Sequence, residues 1–219
     1  SGYKTLRIGR RIVVKPSWLE HQPGPDELLI ELDPGMAFGT GLHPSTQLAV
    51  LGTEKMMRTG DRALDVGTGS GILAILAARL GASQVVGLDI EPLAVDVARQ
   101  NIERNGVRSL VEVRLASLLP ERASGCGREL ELFDASGRWQ GAFDLVLMNI
   151  LADVIRRSAR AIVDCLNSEG RFVVSGIIES QEEPTRKALR EAGLQVTARH
   201  KRKDWVALYG RKAGKGRAR

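Results

Sequence analysis

Leu64-Asp-Val-Gly67-Thr-Gly69-Ser-Gly71-Ile-Leu-Ala-Ile-Leu-Ala-Ala-Arg-Leu80-Gly81 is the stretch that decides the fold. Arg62 to Val66 reads as a short buried strand that ends in a glycine cluster. Ile72 to Leu80 then reads as a helix, with Leu73, Ala77 and Leu80 on one face and Gly81 at its end. Glycines at such a junction permit a tight turn and let a ligand approach the backbone, while the helix N-terminus offers unpaired N–H groups. The turn alone is common to many α/β folds. Gly69-x-Gly71-x-x-Ala74 also matches a dinucleotide fingerprint, with Asp89 about twenty residues on.

Asp65 helps to separate the possibilities. A carboxylate at the end of the first strand repels a pyrophosphate placed on those glycines. It suits instead a ligand carrying a cationic amino group and a sulfonium, which is S-adenosylmethionine. Asp89, ending a second strand at Gln84 to Asp89, is placed to accept hydrogen bonds from two ribose hydroxyls. That role serves either cofactor, and an acid beside a helix N-terminus explains Asp89 as well.

Outward from this unit the alternation continues. Pro92 suits a first helical turn and Gly106 a C-terminal cap, with Leu93, Ala94, Val97, Ala98 and Ile102 recurring between them at helical spacing. Strands are expected at Leu110 to Leu115, Phe143 to Asn149, Arg171 to Gly176, Leu194 to Arg199 and Trp205 to Gly210, and helices at Asp153 to Leu166 and Gln181 to Glu191. Strand and helix in alternation imply right-handed parallel crossovers and a doubly wound sheet. The short connection Lys201 to Asp204 predicts that the last two strands form an antiparallel hairpin. Leu6 to Ile8, Ile12 to Val14 and Leu28 to Leu32 suggest a small N-terminal β appendage, and residues 118 to 141, without periodicity, a surface loop or flap.

Composition narrows the function. The 219 residues carry 32 Lys and Arg against 26 Asp and Glu, a net +6. Five of those basic residues lie in Arg211 to Arg219, which leaves 27 against 26 in the body, or +1. The basicity therefore marks a tail, not a nucleic-acid-binding face. No apolar run reaches the length of about 18 residues that a membrane span needs. Cys126 and Cys165 make no disulfide framework and suit a reducing cytoplasm, and neither pairs with His21, His43 or His200 at zinc spacing. No metal site is expected. Aromatics at 4% equip the chain poorly for stacking single-stranded nucleic acid.

A second cluster, Asp33-Pro-Gly-Met-Ala-Phe38-Gly-Thr40-Gly41-Leu-His43-Pro-Ser-Thr46, precedes a helix at about Thr46 to Met57, with Pro44 near its start and Ser45 or Thr46 as cap. Such a loop can fold over a ligand at the strand ends, with Thr40 and Thr46 donating to a carboxylate. Here the sequence resembles the ribosomal protein L11 methyltransferase family, S-adenosylmethionine-dependent enzymes that act on a protein of the large-subunit stalk base. The resemblance rests on LDPGMAFGTGLHPST (Leu32 to Thr46), LDVGTGSGILAILAARLGA (Leu64 to Ala82), GLDIEPLAVDVARQNIERNGV (Gly87 to Val107) and LVLMNILADVI (Leu145 to Ile155), and it covers residues 5 to 212 or so.

The resemblance implies an α/β fold of the Rossmann-like, seven-stranded class I methyltransferase type with an antiparallel last strand, and methyl transfer to lysine side chains and α-amino groups. By matching motif it makes Thr46, Gly67, Asp89 and Asn149 cofactor contacts. The full candidate cofactor set is Phe38, Thr40, Gly41, Thr46, Asp65, Gly67, Gly69, Gly71, Asp89, Ile90, Ser117 and Asn149. Asn149 with Ile150 and Leu151 forms the candidate catalytic group beside the acceptor nitrogen, although an Asn there also reads as a helix cap. His43 is expected to be structural, and no residue stands out as a general base. The expected layout is a linker with the β appendage over 1–32, the methyltransferase domain over 33–212 and a basic tail over 213–219 with a weak attraction to nearby ribosomal RNA. Family members carry an N-terminal substrate-recognition domain, and this chain begins in the linker after it, so it is expected to be either a truncated form or a shorter relative with another substrate. Two rivals remain: a nucleic-acid or small-molecule methyltransferase, for which Asn149-Ile-Leu-Ala152 lacks the Pro-Pro and aromatic ring, and a cofactor-binding module without catalysis.

Overall fold

The computed structural model describes residues 4–33, 43–119 and 130–214. Three short strands, β1 (Leu6–Ile8), β2 (Ile12–Lys15) and β3 (Leu28–Glu31), make a small sheet in which β2 pairs antiparallel with β1 and parallel with β3. Helix α1 (Pro44–Met56) follows, and the alternation then runs β4 (Arg62–Val66), α2 (Ile72–Arg79), β5 (Gln84–Asp89), α3 (Pro92–Arg104), β6 (Val111–Ser117), β7 (Glu131–Leu132), β8 (Phe143–Asn149), α4 (Ala152–Cys165), β9 (Leu166–Ile178), α5 (Glu182–Ala192), β10 (Leu194–Arg202) and β11 (Trp205–Lys212). The main sheet has the order β10-β11-β9-β8-β4-β5-β6-β7. Its strands from β7 to β9 pair in parallel, while β11 is antiparallel to both neighbours. This is the expected seven-stranded, doubly wound arrangement with the two-residue β7 added at one edge.

Alternation along each parallel strand divides the core into two layers. On β8, Leu145 and Leu147 join the layer under α1, α2 and α3, whereas Val146 and Met148 join the layer under α4 and α5. Ile8, Ile12, Val14 and Ile30 of the small sheet belong to the first layer. Asn105, just past α3, ties that sheet down by accepting from Glu31 N at 3.0 Å and donating to Glu31 O at 2.8 Å.

Two expectations need correction. Helix α1 begins before Thr46, and its cap is neither Ser45 nor Thr46. His43 takes that place, with Nδ1 accepting from Ser45 N at 3.3 Å. The stretch 118–141 is not simply a surface loop, although 120–129 lies outside the described residues. Phe133 and Trp139 are buried, stack at 4.9 Å between ring centroids, and pack with Phe143 in the second core layer. Glu131–Leu132 adds β7 to the sheet. These aromatic anchors are too widely spaced in sequence to produce a strand or helix period.

Helix α1 lies close against β9 and β11 because Gly52 faces Tyr209: a Cβ there would come within 2.5 Å of the Tyr209 ring. Tyr209 in turn donates its hydroxyl to Leu48 O at 2.7 Å. Gly52→Ala is expected to destabilise the chain by about 1–3 kcal/mol through overpacking. Urea unfolding of the two proteins checks this.

Candidate active site

In a doubly wound sheet ligands bind beyond the C-terminal strand ends, and here the ends of β4, β5, β6 and β8 open into one cleft of about 880 Å³, including solvent at its mouth. Gly67, Thr68 and Gly69 of the glycine turn line it, and Gly71 does not. Gly67 N and Thr68 N both donate to Leu88 O at 2.8 Å, so the turn is bonded to the end of β5. Gly67, Gly69 and Gly71 all have positive φ, at 72°, 54° and 84°, conformations that side chains with a Cβ resist. Gly71 is the residue preceding α2.

Asp65 lines the cleft and is 1% exposed. Its Oδ2 accepts from Thr68 Oγ1 at 2.7 Å, and Oδ1 is buried without a hydrogen bond of ordinary geometry. Burial pushes its pKa up to about 7, helped by the charge of Asp89 and opposed by the Thr68 hydroxyl and the Ala74 N–H. Asp89 is engaged as well. Its Oδ2 accepts from Gly69 N at 2.9 Å and its Oδ1 from Glu91 N at 3.0 Å. It thus links the glycine turn to the start of α3, while each carboxylate oxygen retains acceptor capacity.

Asn149 ends β8 and is no helix cap; Leu151 precedes α4, and no side chain caps that helix. Asn149 Nδ2 donates to Thr46 Oγ1 at 3.2 Å, which orients the amide and leaves Oδ1 buried and unpartnered. Thr46 is held by α1, whose Ser45 carbonyl accepts from Ser175 Oγ at 2.8 Å. Ile150 and Ile90 line the same cleft, as does Ser117, whose Oγ is occupied by Leu119 N and O. Leu151 does not enter it. It stands 68% exposed and borders a second, apolar recess with His43, Gly176 and Trp205. His43 meets the Trp205 ring edge-on at 4.6 Å and bonds Ser45 Oγ at 2.7 Å, in keeping with a structural part. Phe38, Thr40 and Gly41 lie outside the described residues.

Asn149 and Ile150 border both the cleft and the recess, so the junction of the two cavities falls at the end of β8. The contributions of Gly176 and Trp205 escaped the sequence reading. Gly176 has φ 88°, and a Cβ on it would lie 2.4 Å from Ile150 O. It looks in sequence like an ordinary strand end; only the approach of a neighbouring strand gives it meaning. Among the described residues no group of three or more His, Cys, Asp or Glu side chains is gathered to hold a metal. No described helix is long and apolar enough to cross a membrane.

The parallel sheet, the glycine turn after its first strand and the acid ending its second define a Rossmann-like protein of the methyltransferase type. A methyltransferase from Aquifex aeolicus described as SAM-dependent shares the fold at a TM-score of 0.57 and 15% identity, over 78% of this chain and 94% of that one. The chain belongs to the family described as Ribosomal protein L11 methyltransferase (PrmA), which matches residues 1–213. It is 45% identical to the ribosomal protein L11 methyltransferase of Chloroflexus aurantiacus, across 96% of this chain and 66% of that protein. It also superposes on the crystal structure of a ribosomal protein L11 methylase from Lactobacillus delbrueckii subsp. bulgaricus, with a TM-score of 0.82 and 32% identity over 96% of this chain and 100% of that one. The chain spans just under two thirds of the length of the Chloroflexus protein.

Two variants test the geometry. Gly176→Ala should displace Ile150 and strain the backbone, lowering stability by about 1–3 kcal/mol in denaturant unfolding. For Asp65 the sign follows from its raised pKa. The unfolded chain loses this proton near 3.8, as an ordinary aspartate does, and the folded one near 7. The stability of the neutral form is therefore complete below the lower value and lost as pH rises through the higher one. Ligand-free Asp65→Asn should melt above the wild type at pH 8, with the gap closing toward pH 4. Melting curves across pH read this directly.

Proposed function

We propose that this chain is the S-adenosylmethionine-dependent catalytic part of a protein N-methyltransferase that modifies lysine and α-amino groups of a large-subunit ribosomal protein, yielding S-adenosylhomocysteine as coproduct. The observation that carries this is a pair of buried acceptor oxygens on residues that line one cleft: Asn149 Oδ1, without a partner, and Asp65 Oδ1, without a hydrogen bond of ordinary geometry. Buried polar atoms without partners are costly, and a ligand that brings donors relieves them. Asp65 fits the cationic amino group of the cofactor, Asp89 its ribose hydroxyls, and the glycine turn its close approach to backbone. Phe38, Thr40, Gly41, Thr46, Ile90 and Ser117 complete the proposed cofactor set.

S-adenosylmethionine supplies an electrophilic methyl group for in-line displacement. The chain's own residues then prepare the acceptor. A free lysine has a pKa near 10.4 and is mostly protonated at neutral pH. Among the described residues the recess beside Asn149 is lined by His43, Ser45, Ile150, Leu151, Gly176 and Trp205, none of them a carboxylate. Desolvation in such surroundings favours the neutral amine. Asn149 Oδ1 accepts a hydrogen bond from that amine and aims its lone pair, and the backbone at Ile150 and Leu151 borders the same point. Positioning of this kind is worth about 7–11 kcal/mol in favourable systems.

The proposed layout keeps residues 1–32 as linker and β appendage, 33–212 as the methyltransferase domain and 213–219 as a basic tail with weak attraction to ribosomal RNA, in a cytoplasmic protein. Incubation with methyl-labelled cofactor and either purified ribosomal protein L11 or ribosomal RNA tests the reading. Label in the protein supports it; label only in RNA contradicts it. In calorimetry Asp89→Ala should weaken cofactor binding by about 1–3 kcal/mol, and unchanged affinity would remove its ribose role.

A further inference from the structure

The ends of β8, β4, β5 and β6 stand side by side and carry Asn149, Asp65, Asp89 and Ser117 in that order. Three inter-strand spacings separate the first from the last, about 14 Å, the scale of an extended adenosyl amino acid. With an amino group on Asp65 and ribose on Asp89, the nucleobase is left to the end of the cleft beyond β5. That end carries the apolar side chains of Leu88, Ala116, Leu118 and Leu119. Its Ser117 hydroxyl is already used by Leu119 N and O.

The cleft holds a second hydroxyl. Ser158, on the second turn of α4, lines the cleft, is 1% exposed, and its Oγ has no hydrogen-bond partner. A serine inside a helix commonly satisfies itself on the carbonyl four residues back; Ser158 does not. We propose that Ser158 is the polar contact of a nucleobase compartment and that its hydroxyl bonds the heteroatom edge of the cofactor's adenine. An apolar slot with one or two placed polar groups is the usual form of a site that orients a flat heterocycle. The inference rests on the reading of the cleft as an S-adenosylmethionine site and adds a residue from an element that carries none of the sequence motifs.

The test compares the wild type with Ser158→Ala by calorimetry against S-adenosylhomocysteine, and by thermal shift against 5′-methylthioadenosine and methionine at millimolar concentration. Loss of one hydrogen bond predicts affinity for S-adenosylhomocysteine weaker by about threefold to tenfold. A smaller shift with 5′-methylthioadenosine, an unchanged shift with methionine, and a ligand-free melting temperature no lower than that of the wild type are expected with it. Equal affinity of both proteins for S-adenosylhomocysteine, or a loss felt equally with methionine, overturns the assignment of Ser158 alone. A wild type that binds none of the three ligands overturns the reading of the cleft and this proposal with it.

Discussion

The bonding of the glycine turn to the neighbouring strand is the constraint on which the rest of the site depends. Three successive N–H groups, of Gly67, Thr68 and Gly69, reach across to β5, the first two to Leu88 O and the third to the Asp89 carboxylate. Two parallel strand ends and the start of a helix thereby become one rigid edge. Asp65 is brought to the inside of that edge, and Thr68, in the turn itself, bonds it there. A carboxylate that is buried, raised in pKa and only partly hydrogen-bonded is a cost to the folded chain. Its persistence at the head of a ligand-sized cleft ties that cost to the ligand.

A second set of contacts holds the other side of the cleft. Gly52 lets α1 approach Tyr209, the Ser45 carbonyl is fixed by Ser175, and Thr46 consequently meets Asn149. Gly176 gives the Ile150 carbonyl room. The proposed acceptor point is therefore assembled from α1, β8 and β9, which are far apart in the chain and neighbours only in the folded sheet.

This difference explains what could be read from sequence. Asp65, the glycines and Asp89 were legible because strand, turn and helix are local patterns with known periods, and the short link at Lys201 to Asp204 gave the final hairpin. Thr46 was legible as a hydroxyl of the loop before α1, and Asn149 came through the resemblance of whole motifs; their mutual hydrogen bond spans 103 residues and has no local signature. Trp205, Gly176 and Ser158 were missed because each looks ordinary in its own element and acquires a role only from what packs opposite. Residues 130–141 read as loop because Phe133 and Trp139 contribute burial without periodicity.

The most direct measurement of the central claim is a crystal structure of this chain grown with S-adenosylhomocysteine. The account predicts its amino group on Asp65, its ribose hydroxyls on Asp89, its adenine beside Ser158, and its sulfur turned toward Asn149. Density elsewhere, or the ligand reversed so that adenine lies at Asn149, would contradict it.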